Sequence, residues 1–116
     1  MPNLRVDQSR LEQVLVNLIH NAIKFTHPGG EVILKAEPFG EEIQFAVKDT
    51  GIGIPSEDVP RIFERFYRVD KSRTGSGTGL GLSIARHIVE AHRGKIWADS
   101  SEGQGSTIFF TIPRSL

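Results

Sequence analysis

The chain reads as an α/β (α+β) fold in which one mixed, largely antiparallel sheet carries its helices on a single face. Three observations predict it. Residues 7–25 and 79–93 repeat apolar side chains at helical spacing. Each stretch is followed by two alternating runs joined by a turn, the pattern of an antiparallel hairpin. No internal repeat or linker divides the 116 residues. A single domain of that size buries roughly two thirds of its unfolded surface.

Met1–Val6, with Leu4 and Val6 on one side, reads as a strand stub that leads straight into the first helix. Asp7 can cap that helix, or Ser9 with Glu12 in a capping box. Leu11, Val14, Leu15, Leu18, Ile19, Ala22 and Ile23 define its inward face, and Pro28 with two glycines ends it. Glu31–Glu37 and Glu42–Asp49, joined by residues 38–41, form the first hairpin, with Ile43, Phe45 and Val47 on the core side. Asp49–Pro55 is a glycine-punctuated loop. Ser56–Phe66 reads as one or two helical turns, and Val69–Gly79, polar and without apolar period, as a mobile stretch. The second helix, Gly79–Arg93, is expected to turn Leu80, Ile84, Ile88 and Ala91 inward and to stop at Gly94. Lys95–Ser100 and Ser106–Ile112 then flank a turn at Gly103–Gly105, with Trp97 read as a packing residue.

Composition removes several classes of function. There is no cysteine, hence no disulfide, thiol catalysis or cysteine-ligated zinc. Fourteen basic residues balance fourteen acidic ones, so no global field recruits nucleic acid or an anionic membrane. No apolar run approaches the ~20 residues of a membrane span, and no signal-peptide pattern opens the chain.

Four local patterns carry chemistry. Along the first helix Gln13, Asn17, Asn21 and Lys24 stack beside the apolar face. Neutral amide oxygens can ligate a hard cation, and a lysine one turn on can meet the anion it escorts; an ordinary boundary stripe of solvated amides is equally consistent. Asp49, at the end of a core strand and followed by Gly51 and Gly53, accepts hydrogen bonds only. It suits an adenine amino group, or it caps its own turn. Gly75–Leu82 runs into the N-terminus of the second helix, where unmasked N–H groups and the helix dipole favour an anion. It matches neither the dinucleotide fingerprint nor the P-loop, and a ligand-free hinge is the other reading. Arg61, Arg65, Arg68, Lys71 and Arg73 interleave with Phe63, Phe66 and Tyr67. The acids Glu57, Asp58, Glu64 and Asp70 in the same stretch argue for phosphate contact by one or two arginines rather than nucleic acid.

Taken in order, these motifs resemble the catalytic ATP-binding domain of a bacterial two-component sensor histidine kinase, in the superfamily of gyrase, heat-shock chaperone and mismatch-repair ATPases. The N box is Gln13–Phe25, the first glycine box Asp49–Pro55, the F box Arg61–Asp70, the second glycine box Gly77–Leu82, with a last Gly105-Ser106. The resemblance implies a two-layer α/β sandwich over residues 1–116, with ATP and Mg2+ as cofactors. It implies Asn21 as the magnesium ligand, supported by Asn17. Lys24 and Arg68 would meet the outer phosphates and, with Asn17, form the catalytic set. Asp49 would take the adenine amino group within the Gly51–Gly53 loop, Ile54 and Leu82 would wall the base, and Ser106 would hold a water beside it. Tyr67 and the cradle Gly77, Thr78, Gly79, Leu80, Gly81 and Leu82 complete the implied nucleotide contacts, under a lid at Val69–Ser76.

Superfamily hydrolases carry a glutamate four residues before the magnesium asparagine; here that place is Asn17, which cannot accept a proton. The resemblance therefore implies a protein histidine kinase whose acceptor imidazole lies on an upstream dimerisation hairpin absent from this chain. His20, His27, His87 and His92 lack the acceptor's context, so the chain alone is not expected to autophosphorylate. The expected partners are ATP, that hairpin and, indirectly, a response regulator, with no nucleic acid and no direct membrane contact. The fragment is expected to be a cytoplasmic monomer and the parent a homodimer, with or without a membrane anchor. A serine kinase of the anti-sigma-factor type and a nucleotide-sensing module without transfer activity are the alternatives. Phe25 stands where many relatives have tyrosine.

Overall fold

The computed structural model describes residues 8–26, 28–65, 81–101 and 103–113. The elements are α1 (Gln8–Phe25), β1 (Val32–Phe39), β2 (Glu42–Asp49), a single 3-10 turn (Val59–Arg61), α2 (Gly81–Ala91), β3 (Ile96–Ser101) and β4 (Gly105–Pro113). The expected strand stub at Met1–Val6, the lid at Val69–Ser76 and the start of the second helix at Gly79 lie outside the described residues. The four strands form one sheet in the order β1-β2-β4-β3. Each described pair is antiparallel. The last strand thus lies between the second and the third.

Register and alternation arrange the sheet's helix-facing side as rows that cross three strands. Phe45, Phe110 and Ile96 form one row, and Val47, Ile108 and Ala98 the next. Phe45 and Phe110 stack with ring centroids 4.7 Å apart and planes 11° from parallel. On the opposite face Trp97 stacks on Phe109 at 5.3 Å, which gives the tryptophan its packing role.

Both helices close the core over these rows. α1 buries Val14, Leu18 and Ala22, with Leu11, Leu15 and Ile19 along the margin. Ile23, expected inward, is 58% exposed. At about 100° per residue it lies roughly 140° around the helix from Leu18, past the edge of the buried stripe. α1 begins at Gln8, so Ser9 falls inside its first turn and cannot cap it. Pro38, expected in the connecting loop, is instead paired with Ile43. β1 borders one side of the described sheet, where proline's missing N–H costs no ladder bond.

α2 is rotated from its expected setting. Its buried residues are Ala85, Ile88 and Val89, whereas Ile84 is 37% exposed and Ala91 is exposed. Apolar residues on two sides of Ile88 allow either stripe, and packing against α1 selects the one with the small Ala85. The helix also stops differently. Arg93 takes the left-handed conformation at φ 64°; its N–H bonds Glu90 O at 3.0 Å, and the Gly94 N–H bonds Val89 O at 2.9 Å. That is a Schellman closure with arginine at the position glycine usually holds. Gly94 is needed for another reason: a Cβ there would overlap the Thr111 carbonyl oxygen.

Arg93→Gly removes the left-handed penalty and should raise stability by about 1 kcal/mol. Gly94→Ala should lower it by about 2–3 kcal/mol through overlap with β4. Denaturant midpoints of the two variants check the pair; equal shifts would show that the closure is assigned to the wrong residue.

Candidate active site

Past the two apolar rows the same register produces a third, Asp49, Ser106 and Ser100, and all three are polar. Asp49 is only 4% exposed. A carboxylate so placed needs hydrogen bonds to both oxygens. Oδ1 accepts the Gly51 N–H at 2.9 Å, and Oδ2 accepts the Ser106 hydroxyl at 2.9 Å. Ser106 is itself buried. Gly105 brings β4 close enough that a Cβ would overlap the Asp49 carbonyl oxygen, at a φ of +100° that disfavours a side chain in any case.

The loop after Asp49 is held residue by residue. Thr50 N–H bonds Glu31 O at 3.1 Å, Ile52 N–H bonds Phe25 O at 3.2 Å, and Ile52 O accepts the Gly103 N–H at 2.7 Å. A Cβ at Gly51 would overlap the Phe25 carbonyl oxygen, so the end of α1 and the loop are in backbone contact. Gly53 is buried, with φ 74°. Ile54 is half-buried, and its N–H bonds Ser100 Oγ at 2.7 Å.

The polar stripe of α1 flanks this loop through its last turn. Asn17 Nδ2 donates to Gly81 O at 3.2 Å, tying the stripe to the first residue of α2. This leaves the Asn17 amide oxygen as an acceptor. Asn21, one turn on, is half-buried, and its side chain makes no hydrogen bond to the described residues. Lys24 is exposed, with Nζ 5.6 Å from the Phe25 ring centroid. Leu82 packs against the core from the first turn of α2, and Gly81 has open space where a Cβ would stand. Among the described residues no group of three or more His, Asp or Glu side chains could hold a metal. The half-buried amide of Asn21 fits a single protein ligand to a magnesium ion that brings its other oxygens with it.

Hydrogen bonds thus bring Asp49, Gly51 and Ser106 into one cluster and link Asn17 with Gly81, while Asn21 and Lys24 extend from α1 nearby. Tyr67, Arg68, Gly77, Thr78, Gly79 and Leu80 lie outside the described residues. Ser100 is the residue that sequence reasoning missed. Its signal was the alternation Ile96, Ala98, Ser100, which places a serine where the preceding positions are core.

Residues 6–116 match the family of histidine kinase-, DNA gyrase B- and HSP90-like ATPases. The chain belongs to that family, and within it to the catalytic domains of sensor histidine kinases. It is 53% identical over 114 residues to the sensor histidine kinase WalK of Bacillus subtilis (strain 168), a match covering 95% of this chain and 19% of WalK. Its structure is similar to that of the mycobacterial sensor histidine kinase MprB, with a TM-score of 0.86 at 30% identity over 95% of this chain and 76% of that one. Full-length ShkA in complex with AMPPNP is similar at a TM-score of 0.85 and 36% identity, over 97% of this chain and 23% of ShkA. The chain therefore spans about a fifth of the WalK it resembles. No helix among the described residues is long and apolar enough to cross a membrane.

Ser106→Ala removes a hydroxyl donor from a buried carboxylate and should cost about 1–3 kcal/mol. The expected result in urea is a lower midpoint with an unchanged slope; an unmoved midpoint would mean that the Asp49–Ser106 bond contributes nothing.

Proposed function

We propose that this domain binds Mg-ATP and holds the γ-phosphate for in-line transfer to a histidine on a separate helical hairpin of a sensor histidine kinase, in two-component signalling. The observation that carries the reading is the Asp49 carboxylate, buried and fixed from both sides at the end of β2. Each carboxylate oxygen has a second lone pair, so Asp49 accepts the adenine amino group without giving up Gly51 or Ser106. A guanine carbonyl would face the same oxygens as a second acceptor and be refused. That full-length ShkA, similar over 97% of this chain, is in complex with AMPPNP supports the reading.

The roles of the remaining residues follow from the motifs. Ile54 and Leu82 wall the base, and Ser106 keeps Asp49 oriented and holds a water near the base. Asn21 offers its amide oxygen to magnesium, which when bound supplies charge neutralisation to the phosphate oxygens. Lys24 and Arg68 neutralise the outer phosphates, while Tyr67 and Gly77–Leu82 line the polyphosphate. In the transfer the bond from the γ-phosphorus to the β–γ bridging oxygen breaks, a bond to the acceptor imidazole nitrogen forms, and ADP leaves. Asn17, an amide, cannot activate water, so hydrolysis stays slow and the phosphoryl group waits for the histidine. His20 and His87 are exposed on the helices, and His92 Nδ1 lies 2.8 Å from Ile88 O; in this reading the acceptor is not among them, because they lack its sequence context. The domain works in the cytoplasm, beside the dimerisation hairpin of its own parent, and a response regulator receives the phosphoryl group afterwards.

Calorimetric titration with AMPPNP tests the reading. The expected result is saturable, magnesium-dependent binding, with Asp49→Asn weakening it about tenfold or more and Asn21→Ala abolishing the magnesium dependence. Unchanged titrations for both variants would put the pocket elsewhere. Rapid ATP turnover by this chain alone would contradict the role given to Asn17.

A further inference from the structure

Ser100 occupies the third, polar row of the sheet beside Ser106, with β4 between it and Asp49. Its hydroxyl accepts the Ile54 N–H at 2.7 Å and donates to Gly105 O at 3.1 Å. We infer that Ser100 is a positioning residue for the nucleotide, holding Ile54 against the base through this two-way hydrogen bond; the inference rests on the base site proposed above.

The distribution of ties along the loop singles out this residue. Thr50 and Ile52 are held by backbone partners at Glu31, Phe25 and Gly103, and Gly51 by the neighbouring Asp49 carboxylate. The following stretch passes through Gly53, at a φ of 74°. Beyond that pivot the Ile54 amide is anchored by a side chain. A hydroxyl donates and accepts at once, and that is what the position demands: an acceptor for the loop, and a donor to the carbonyl of the residue that precedes Ser106. Ser100 therefore joins the loop carrying the base-facing Ile54 to the strand that orients Asp49. Alanine can do neither, and it leaves a part-buried N–H unpaired. Threonine keeps both functions.

The test is a calorimetric titration of wild type, Ser100→Ala and Ser100→Thr with AMPPNP and with its guanine counterpart. Ser100→Ala should bind AMPPNP about three- to tenfold more weakly at unchanged stoichiometry. Its preference for adenine over guanine should shrink, and Ser100→Thr should restore both. A merely structural role would lower the folded, binding-competent fraction without altering the preference. Tight, selective binding by Ser100→Ala, or equal losses in the alanine and threonine variants, overturns the inference alone. A wild-type chain that binds no AMPPNP overturns the base site as well. A readout that needs no variant is amide hydrogen exchange at Ile54 in the wild type. Exchange there should be protected before ligand is added and slow further when AMPPNP binds; fast exchange indifferent to AMPPNP overturns the inference.

Discussion

A carboxylate removed from water at the end of a core strand is the constraint on which the site depends. Asp49 continues the inward alternation of Phe45 and Val47, so the sheet that builds the apolar core also carries the acid into it. Nothing in a hydrocarbon row can satisfy such a group, and burying it unpaired would cost far more than any one core contact contributes. The sequence around it answers that demand. Ser106 stands opposite on β4, Gly51 folds its amide back, and Gly105 allows the two strands to close over the acid. The result is an acceptor whose orientation is set before any ligand arrives, which is what discrimination by a hydrogen-bonding edge requires.

α1 belongs to both halves of the molecule. One side of it supplies Val14, Leu18 and Ala22 to the core. The adjacent side presents Gln13, Asn17 and Asn21, and its last carbonyl receives the amide of Ile52. Because Asn17 also reaches Gly81, the position of α2 and the position of the polar stripe are set together. Packing of the core and geometry of the site are therefore not separable along this helix.

How much of this was legible in the sequence varied with the kind of information each feature needs. The apolar periods of 7–25 and of the two hairpins were sufficient to identify α1 and all four strands, because periods of 3.6 and 2 are local properties. The orientation of α2 was not, since Ile84, Ala85, Ile88 and Val89 leave two stripes open and only the neighbouring helix decides between them. The helix stop was assigned to Gly94 because glycine is the usual left-handed residue. The structure gives that conformation to Arg93 and reserves Gly94 for a close approach to Thr111, a contact between residues far apart in sequence. Asp49 and Ser106 were legible as members of motifs. Ser100 was not, because a serine at a strand end looks the same whether it is solvated or anchoring a loop. Following the alternation one step past Ala98 would have marked it.

The placement of β4 between β2 and β3 bears on how the chain matures. Of the described pairings, β1–β2 and β3–β4 are local hairpins, and only β2–β4 joins strands far apart in sequence. The row that holds Asp49 then forms late, from partners separated by 57 positions, and such long-range closure is slow. Until it is complete the chain has its two hairpins and the local Gly51 bond to its acid, but not the Ser106 hydroxyl that fixes the second oxygen. A domain ordered in this way fixes both oxygens of its buried acid only once its two hairpins have joined.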